Sequence, residues 1–239
     1  MSELFGLLAW GSAGWGDELA AGALVTISLA LCTLPFGLVL GFLLALARNS
    51  GVPELERAGN IFTTIFRGLP ELLTILIIYI GLDMLIAEIV SMVSDERWEL
   101  NKFVAGMIAL GVVFASFSSE TLLSAMKAIP EGQAEASRAL GMSSFKTWRK
   151  VIMPQLIRYA LPGLSNLWLV LLKETALISI IALPDLLRMT NIAVGATKEP
   201  FFFYAICCLI YLGFALLSSI VIGAIENWAN KGEMARGAA

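Results

Sequence analysis

The sequence predicts an all-α membrane protein of about five transmembrane helices, with the N-terminus outside and the C-terminus inside. Three observations carry this reading. Of 239 residues, 58% are hydrophobic and 15% charged, and the mean hydropathy is +0.83, whereas a soluble domain has about 45–50% apolar and about 25% charged residues. Five apolar stretches reach the roughly 20 residues a helix needs to cross a bilayer. The basic residues are also sorted between alternate connections. The stretches lack the two-residue alternation of membrane β-strands, so they read as helices.

The chain opens with no Lys or Arg before Gly22, only Glu3, Asp17 and Glu18. A cleavable signal peptide starts with a positive region, so this start is not read as one. Trp10 and Trp15 suit the headgroup zone, where any helix is short. The first span runs from about Leu19 to Ala47, with Pro35 as an expected kink. Its Gly37 and Gly41 form a GxxxG, read as ordinary close helix packing with a dimer face as the alternative. Glu54 to Phe66 reads as a short helix on the cytoplasmic surface. Arg67-Gly68-Leu69-Pro70-Glu71 then breaks the chain: Gly68 permits unusual backbone angles, Pro70 suits a first helical turn, and Glu71 favours the positive end of the new helix dipole. Spans two to five are about Pro70 to Val90, Phe103 to Ala125, Tyr159 to Leu183 and Phe201 to Ile225.

Eleven of the sixteen basic residues fall on one side of these spans. They are Arg48, Arg57 and Arg67, then Lys127, Arg138, Lys146, Arg149, Lys150 and Arg158, and finally Lys231 and Arg236. Arg97, Lys102, Lys173, Arg188 and Lys198 remain. The richer side is expected to be cytoplasmic.

Composition also excludes chemistry. There is no His, which removes His-based hydrolysis and His metal sites. Cys32, Cys207 and Cys208 sit in apolar runs without metal or redox spacing. No Lys follows a Gly, so no Walker A loop exists. ATP hydrolysis, if used, belongs to a partner.

The longest cytoplasmic insertion, about Met126 to Arg158, is too long for a bare turn. Pro130 suits the first turn of a helix running to Leu140, and Gly141 its left-handed stop. Ser143 or Ser144 can cap a second helix from Phe145 to Met153, which Pro154 ends. The first helix carries Ala134, Ala136, Ser137 and Ala139, small enough for entry into a narrow cleft. A self-contained surface hairpin is the alternative, because small residues also follow from helix propensity.

Glu135-Ala136-Ser137, three residues, Gly141, nine residues, then Val151-Ile152-Met153-Pro154 resembles the EAA loop of bacterial ABC importer permeases. The family pattern is Glu-Ala-Ala, three residues, Gly, nine residues, Ile-x-Leu-Pro. Here Ser replaces the second Ala, Val the Ile and Met the Leu, with the spacing intact. Phe66 to Glu71, Ser119-Glu120-Thr121, Pro130 to Gln133, Ala160 to Asn166 and Leu172 to Ser179 are similar to polar amino-acid permeases. Lys198 to Phe203 is similar to a stretch of histidine/arginine/ornithine and opine permeases. The resemblance implies the type I ABC importer permease fold over residues 1–239, with a coupling hairpin at 126–158. It implies import of polar, above all cationic, amino acids or opines across the bacterial inner membrane. The implied partners are a second permease subunit (a related chain or an identical copy), two ATPase subunits and a periplasmic substrate-binding protein. ATP and Mg are used by the partner ATPase, and this chain binds no cofactor, metal or nucleic acid. Glu135, Ala136, Ser137, Gly141 and Pro154 are the implied coupling residues. A self-sufficient transporter or channel is the competing class, but no internal repeat supports it. A membrane-embedded enzyme lacks the residues for chemistry.

Ionisable residues inside spans are functional candidates. Lys173 lies past the midplane, and Asn166, seven residues earlier, shares its face. Both are candidates for a substrate path, with Lys173 facing a carboxylate. Glu174, turned about 100° away, is a further candidate, with a structural Lys–Glu pair between helices as the alternative. Glu120 belongs to the path or braces the hairpin through a salt bridge to the following loop. Asp83 and Glu88 approach the outer surface, and Asp95, Glu96 and Glu99 are candidates to meet the binding protein.

Orientation is testable directly. A cysteine introduced by Ser143→Cys is expected to resist an impermeant thiol reagent added to intact cells and to react after permeabilisation; ready labelling from outside reverses the topology.

Overall fold

The computed structural model describes residues 2–11, 14–92 and 100–234. Asp95, Glu96, Arg97, Glu99 and Arg236 lie outside the described residues. Helices account for nearly all of the described chain. In order they are α1 (Ser2–Gly6), α2 (Gly16–Arg48), α3 (Pro53–Gly68), α4 (Glu71–Ser91), α5 (Lys102–Ala128), α6 (Glu131–Ala139) and α7 (Ser144–Thr147). A π-helical turn (Trp148–Ile152), α8 (Met153–Glu174), a 3-10 stretch (Thr175–Ile181), α9 (Leu186–Thr197) and α10 (Pro200–Met234) follow.

Five segments are long and apolar enough to cross a membrane: α2, α4, α5, the continuous run Ser144–Ile181, and α10. They coincide with the five expected spans. α2 runs through Pro35 without interruption. The fourth span starts some fifteen residues before Tyr159, because the helix does not end at Pro154. Proline removes one N–H donor, and here the chain widens instead of stopping. The Met153 N–H donates to Trp148 O, five residues back. The Gln155 side-chain amide then donates to Val151 O at 2.9 Å. α7, the π turn and α8 therefore form one rod.

The centre of the bundle is α2 against α5, the span buried over most of its length. Gly37 and Gly41 face α5: a Cβ on Gly37 would stand 2.6 Å from Phe114 Cδ1, and one on Gly41 would collide with Ser118. This GxxxG packs helices within the chain, as close packing requires. Apolar clusters stack along the bundle. One, around Ala45, Leu123, Leu156 and Ala160, lies at the hairpin end, and another, around Leu29, Leu110, Leu171 and Ile178, in the middle. A third, around Leu19, Leu186, Phe203 and Cys207, closes the opposite end. There α9 packs on α2 and α10, and its first turn is capped by Asp185 Oδ1, which accepts from the Arg188 N–H at 2.9 Å.

α3 is held to the bundle by charge. Glu120 Oε2 accepts from Arg48 at 2.9 Å and from Arg67 at 2.8 Å. Arg48 also donates to Asn60 Oδ1 and Ser119 Oγ, and Arg67 stacks over Phe117 at 5.8 Å. Glu120 thus finds its basic partners in earlier segments and not in the following loop, because α3 returns along α5 at that level. Gly59 lets α3 close on the Arg48 stem, and Thr63 is buried in the same contact.

Glu120→Gln is expected to weaken both charge-assisted bonds. The carboxylate is partly open to solvent, so a loss of about 1–2 kcal/mol follows, read as a fall of roughly 2–8 °C in thermal midpoint. Ser119→Ala, which removes only the longer 3.2 Å bond from Arg48, is expected to lower the midpoint less than Glu120→Gln. An unaltered midpoint in Glu120→Gln removes the clamp.

Candidate functional site

Two breaks in helix lie near each other, the first exposed and the second buried. The first separates α3 from α4. Leu69 (φ −90°, ψ 147°) and Pro70 (φ −59°, ψ 128°) are both extended, as expected when proline forbids a helical predecessor. Gly68 takes no positive φ, so the proline and not the glycine makes the break. Thr74 satisfies Pro70 O through both its N–H and its hydroxyl. The second break is where α8 tightens into the 3-10 stretch at Thr175, whose hydroxyl donates to Leu172 O at 2.7 Å. Ile75 of α4 and Ile178 beyond the second break share the central cluster, which puts the two breaks at one level.

Each break carries a carboxyl group. Glu174 ends α8 and is 9% exposed, and its side chain lies against that of Glu71, the first residue of α4. Among the described residues both ion pairs fall on Glu120, and none reaches Glu71, Lys173 or Glu174. The alternative of a structural Lys–Glu pair between helices is therefore not formed by either residue among the described residues. Adjacent helical residues diverge by about 100°: Lys173 is exposed, on the same side as exposed Asn166, while Glu174 turns inward. Asp83 and Glu88 are exposed farther along α4. A buried and a half-buried carboxyl group side by side, neither in an ion pair among the described residues, form a site that a guanidinium or ammonium group would complete. Sequence reasoning assigned Glu71 only a dipole role. The pointer to its partner was the coincidence of a Pro-broken helix with an acidic residue in a second span.

The second candidate site is the hairpin. α6 ends at Ala139, and Gly141 adopts φ 78°. The Met142 N–H bonds back to Ser137 O, and Ser143 Oγ caps α7. Ser137 is buried. Its hydroxyl donates to Thr147 Oγ1 at 3.1 Å, clasping α6 to α7 from within. Glu135, Ala136, Gly141 and Pro154 are exposed, and so are two large apolar side chains, Leu140 (83%) and Phe145 (72%). The turn thus presents apolar and acidic groups outward, with the Ser137–Thr147 bond behind them.

The fold and both sites define a polytopic helical transport subunit: broken spans around a polar point inside the bundle, and a structured hairpin outside it. Residues 37–231 match the family of binding-protein-dependent transport system inner membrane components. The chain belongs to that family. It is 38% identical over 228 residues to the nopaline transport system permease NocQ of Agrobacterium fabrum, covering 95% of this chain and 97% of that protein. It is 38% identical to the arginine ABC transporter permease ArtQ of Escherichia coli (90% and 96% covered), and 36% identical to the histidine/lysine/arginine/ornithine permease HisQ of Salmonella typhimurium (90% and 94%). A crystal structure of an amino acid ABC transporter with histidines superposes with a TM-score of 0.76 at 29% identity, covering 89% of this chain and 94% of that chain. A methionine ABC transporter, MetNI, shares the fold, with a TM-score of 0.68 at 19% identity over 88% and 95%. The protein is thus an inner-membrane permease subunit of an ABC importer. It is not itself an enzyme, and ATP hydrolysis falls to partner subunits.

Proposed function

We propose that this chain carries cationic amino acids or opines from periplasm to cytoplasm, with its N-terminus outside, the 126–158 hairpin inside and Glu71 and Glu174 in the substrate path. The observation that carries the reading is the buried Glu174 carboxyl beside Glu71, with no ion pair to either among the described residues. The relatives named for arginine and for histidine/lysine/arginine/ornithine support it, since arginine, lysine and ornithine carry a cation on the side chain. A cation leaving water for this level is stabilised by two acceptors at once, and a neutral side chain is not. Asn166 and Lys173 line a second, exposed face, where an ammonium suits a substrate carboxylate. Glu120 acts at the path's edge by holding Arg48 and Arg67.

Energy arrives through the hairpin. Glu135, Ala136, Gly141 and Pro154, with Leu140 and Phe145, meet a groove on an ATPase subunit, and Ser137 stiffens them. The working unit comprises two permeases (two related chains or two copies), two ATPase subunits that use ATP and Mg, and a periplasmic binding protein. This chain holds no cofactor of its own.

Two experiments separate substrate handling from coupling. In proteoliposomes with the ATPase and binding protein, Glu174→Gln is expected to lower arginine uptake about ten- to hundredfold, as loss of one charged bond of 1.5–3 kcal/mol implies, while assembly and basal ATP hydrolysis persist. Undiminished uptake overturns the acidic site. Gly141→Val forces a β-branched residue into positive φ. It is expected to keep the chain in the membrane but to reduce ATPase co-purification and uptake together. Normal values of both remove the docking role.

A further inference from the structure

A pocket opens where the end of α2 meets the start of the rod. It holds 330 Å³ and is lined by Phe42 and Leu46 of α2 and by Phe145, Trp148, Arg149 and Met153 of the rod. All of its walls are apolar except the Arg149 side chain. The half-buried rings of Phe42 and Trp148 pack edge to face, 6.3 Å between centres, while Phe145 and Arg149 are exposed.

Depth and charge define the occupant. Phe42 and Leu46 belong to a helix apolar enough to cross a membrane, within two turns of its end at Arg48. The pocket therefore lies at the edge of the bilayer, and Trp148 is the side chain favoured at that level. An apolar track leads inward from it. Leu31, Leu34 and Leu38 share the α2 face of Phe42 and Leu46, and they line a second groove, of 490 Å³, with Leu161 and Trp168 of α8. From Leu46 to Leu31 the track is about 22 Å long, against about 15 Å for the hydrocarbon of one leaflet, so it accommodates an acyl chain. The charge is of one sign. Between Ala139 and Arg158 stand four basic residues, Lys146, Arg149, Lys150 and Arg158, and no acid. Among the described residues no ion pair reaches Arg149. A soluble partner docking on the hairpin is a poorer match, because Glu135, Ala136, Ser137 and Gly141 do not line the pocket. An apolar helix of a second permease would cover Arg149 without supplying an anion.

We propose that this pocket binds an anionic phospholipid of the hairpin-side leaflet, with its phosphate on Arg149 and an acyl chain between Phe42, Leu46 and Trp148. A guanidinium pairs with phosphate through two parallel hydrogen bonds, and basic pockets between membrane helices suit anionic headgroups. The bound lipid ties the end of α2 to the start of the rod. That leaflet is the inner one on the orientation proposed above.

The test uses the assembled importer, reconstituted in vesicles of equal phosphatidylglycerol and phosphatidylcholine, extracted, and read for retained lipid by native mass spectrometry. The unaltered protein is expected to retain phosphatidylglycerol roughly fivefold over phosphatidylcholine. Arg149→Gln is expected to bring that ratio near one. Arg158→Gln removes an equal charge from an exposed position outside the pocket and is expected to keep the ratio. A ratio near one in the unaltered protein overturns the proposal. So does a loss shared equally by both variants, or one absent from Arg149→Gln. An experimental map of the importer in nanodiscs of the same lipids is expected to show chain-shaped density along Phe42 and Leu46. Side chains of an ATPase subunit or of a second permease filling the pocket overturn the proposal as well. A reversed topology, read by the Ser143→Cys labelling, changes the leaflet that supplies the lipid and leaves the arginine pattern intact.

Discussion

In a bilayer the backbone has no water to turn to, so a spanning helix can be interrupted only where protein groups take up the freed N–H and C=O. The placement of both interruptions follows from that constraint. At Leu69 and Pro70 the orphaned carbonyl is taken by Thr74, and at the end of α8 the Thr175 hydroxyl serves Leu172 O. The second lies against the central cluster, while Leu69 and Pro70 are exposed beside it. Once the backbone is broken and repaired at this level, a side chain at each break is aimed across the bundle instead of along a helix face. Glu71 and Glu174 meet for that reason.

Charge arrangement follows the same economy. Arg48 and Arg67 converge on Glu120 from helices that are distant in sequence, and so fix the angle at which α3 delivers the chain to the break. The nearby acid pair has no such neutralisation. One carboxylate is saturated with guanidinium groups and two are left without any. That contrast separates a neutralised structural charge from an acid pair left without an ion pair among the described residues.

Much of this was legible in the residues. Hydropathy located all five spans, and the helix–glycine–helix pattern of the hairpin follows from Pro130, Gly141 and Ser143, each with a local backbone reason to be where it is. What escaped was either long-range or a case of one local rule yielding to another. Pro154 reads as a stop, but the preceding turn widened to five-residue hydrogen bonding and carried the helix on. Glu120 reads as a partner for the loop that follows it, because nothing local reveals that α3 folds back along α5. Ser137 reads as part of the outward docking face, yet its hydroxyl turns inward to Thr147. The Glu71–Glu174 contact joins residues a hundred positions apart. No periodicity encodes it.

The proline that fails to stop the helix has a mechanical result. Because α7, the π turn and α8 are continuous from Ser144 to Glu174, the cytoplasmic-type hairpin and the acidic point inside the bundle are the two ends of one stiff lever, about 45 Å long at 1.5 Å per residue. Near its middle, Gly163 seats on Thr121 of α5 with room for no Cβ, a natural fulcrum. A rocking of about 5° about that point displaces each end by roughly 2 Å, in opposite directions. The hairpin and Glu174 are thereby joined by one continuous helix, with no hinge segment between them.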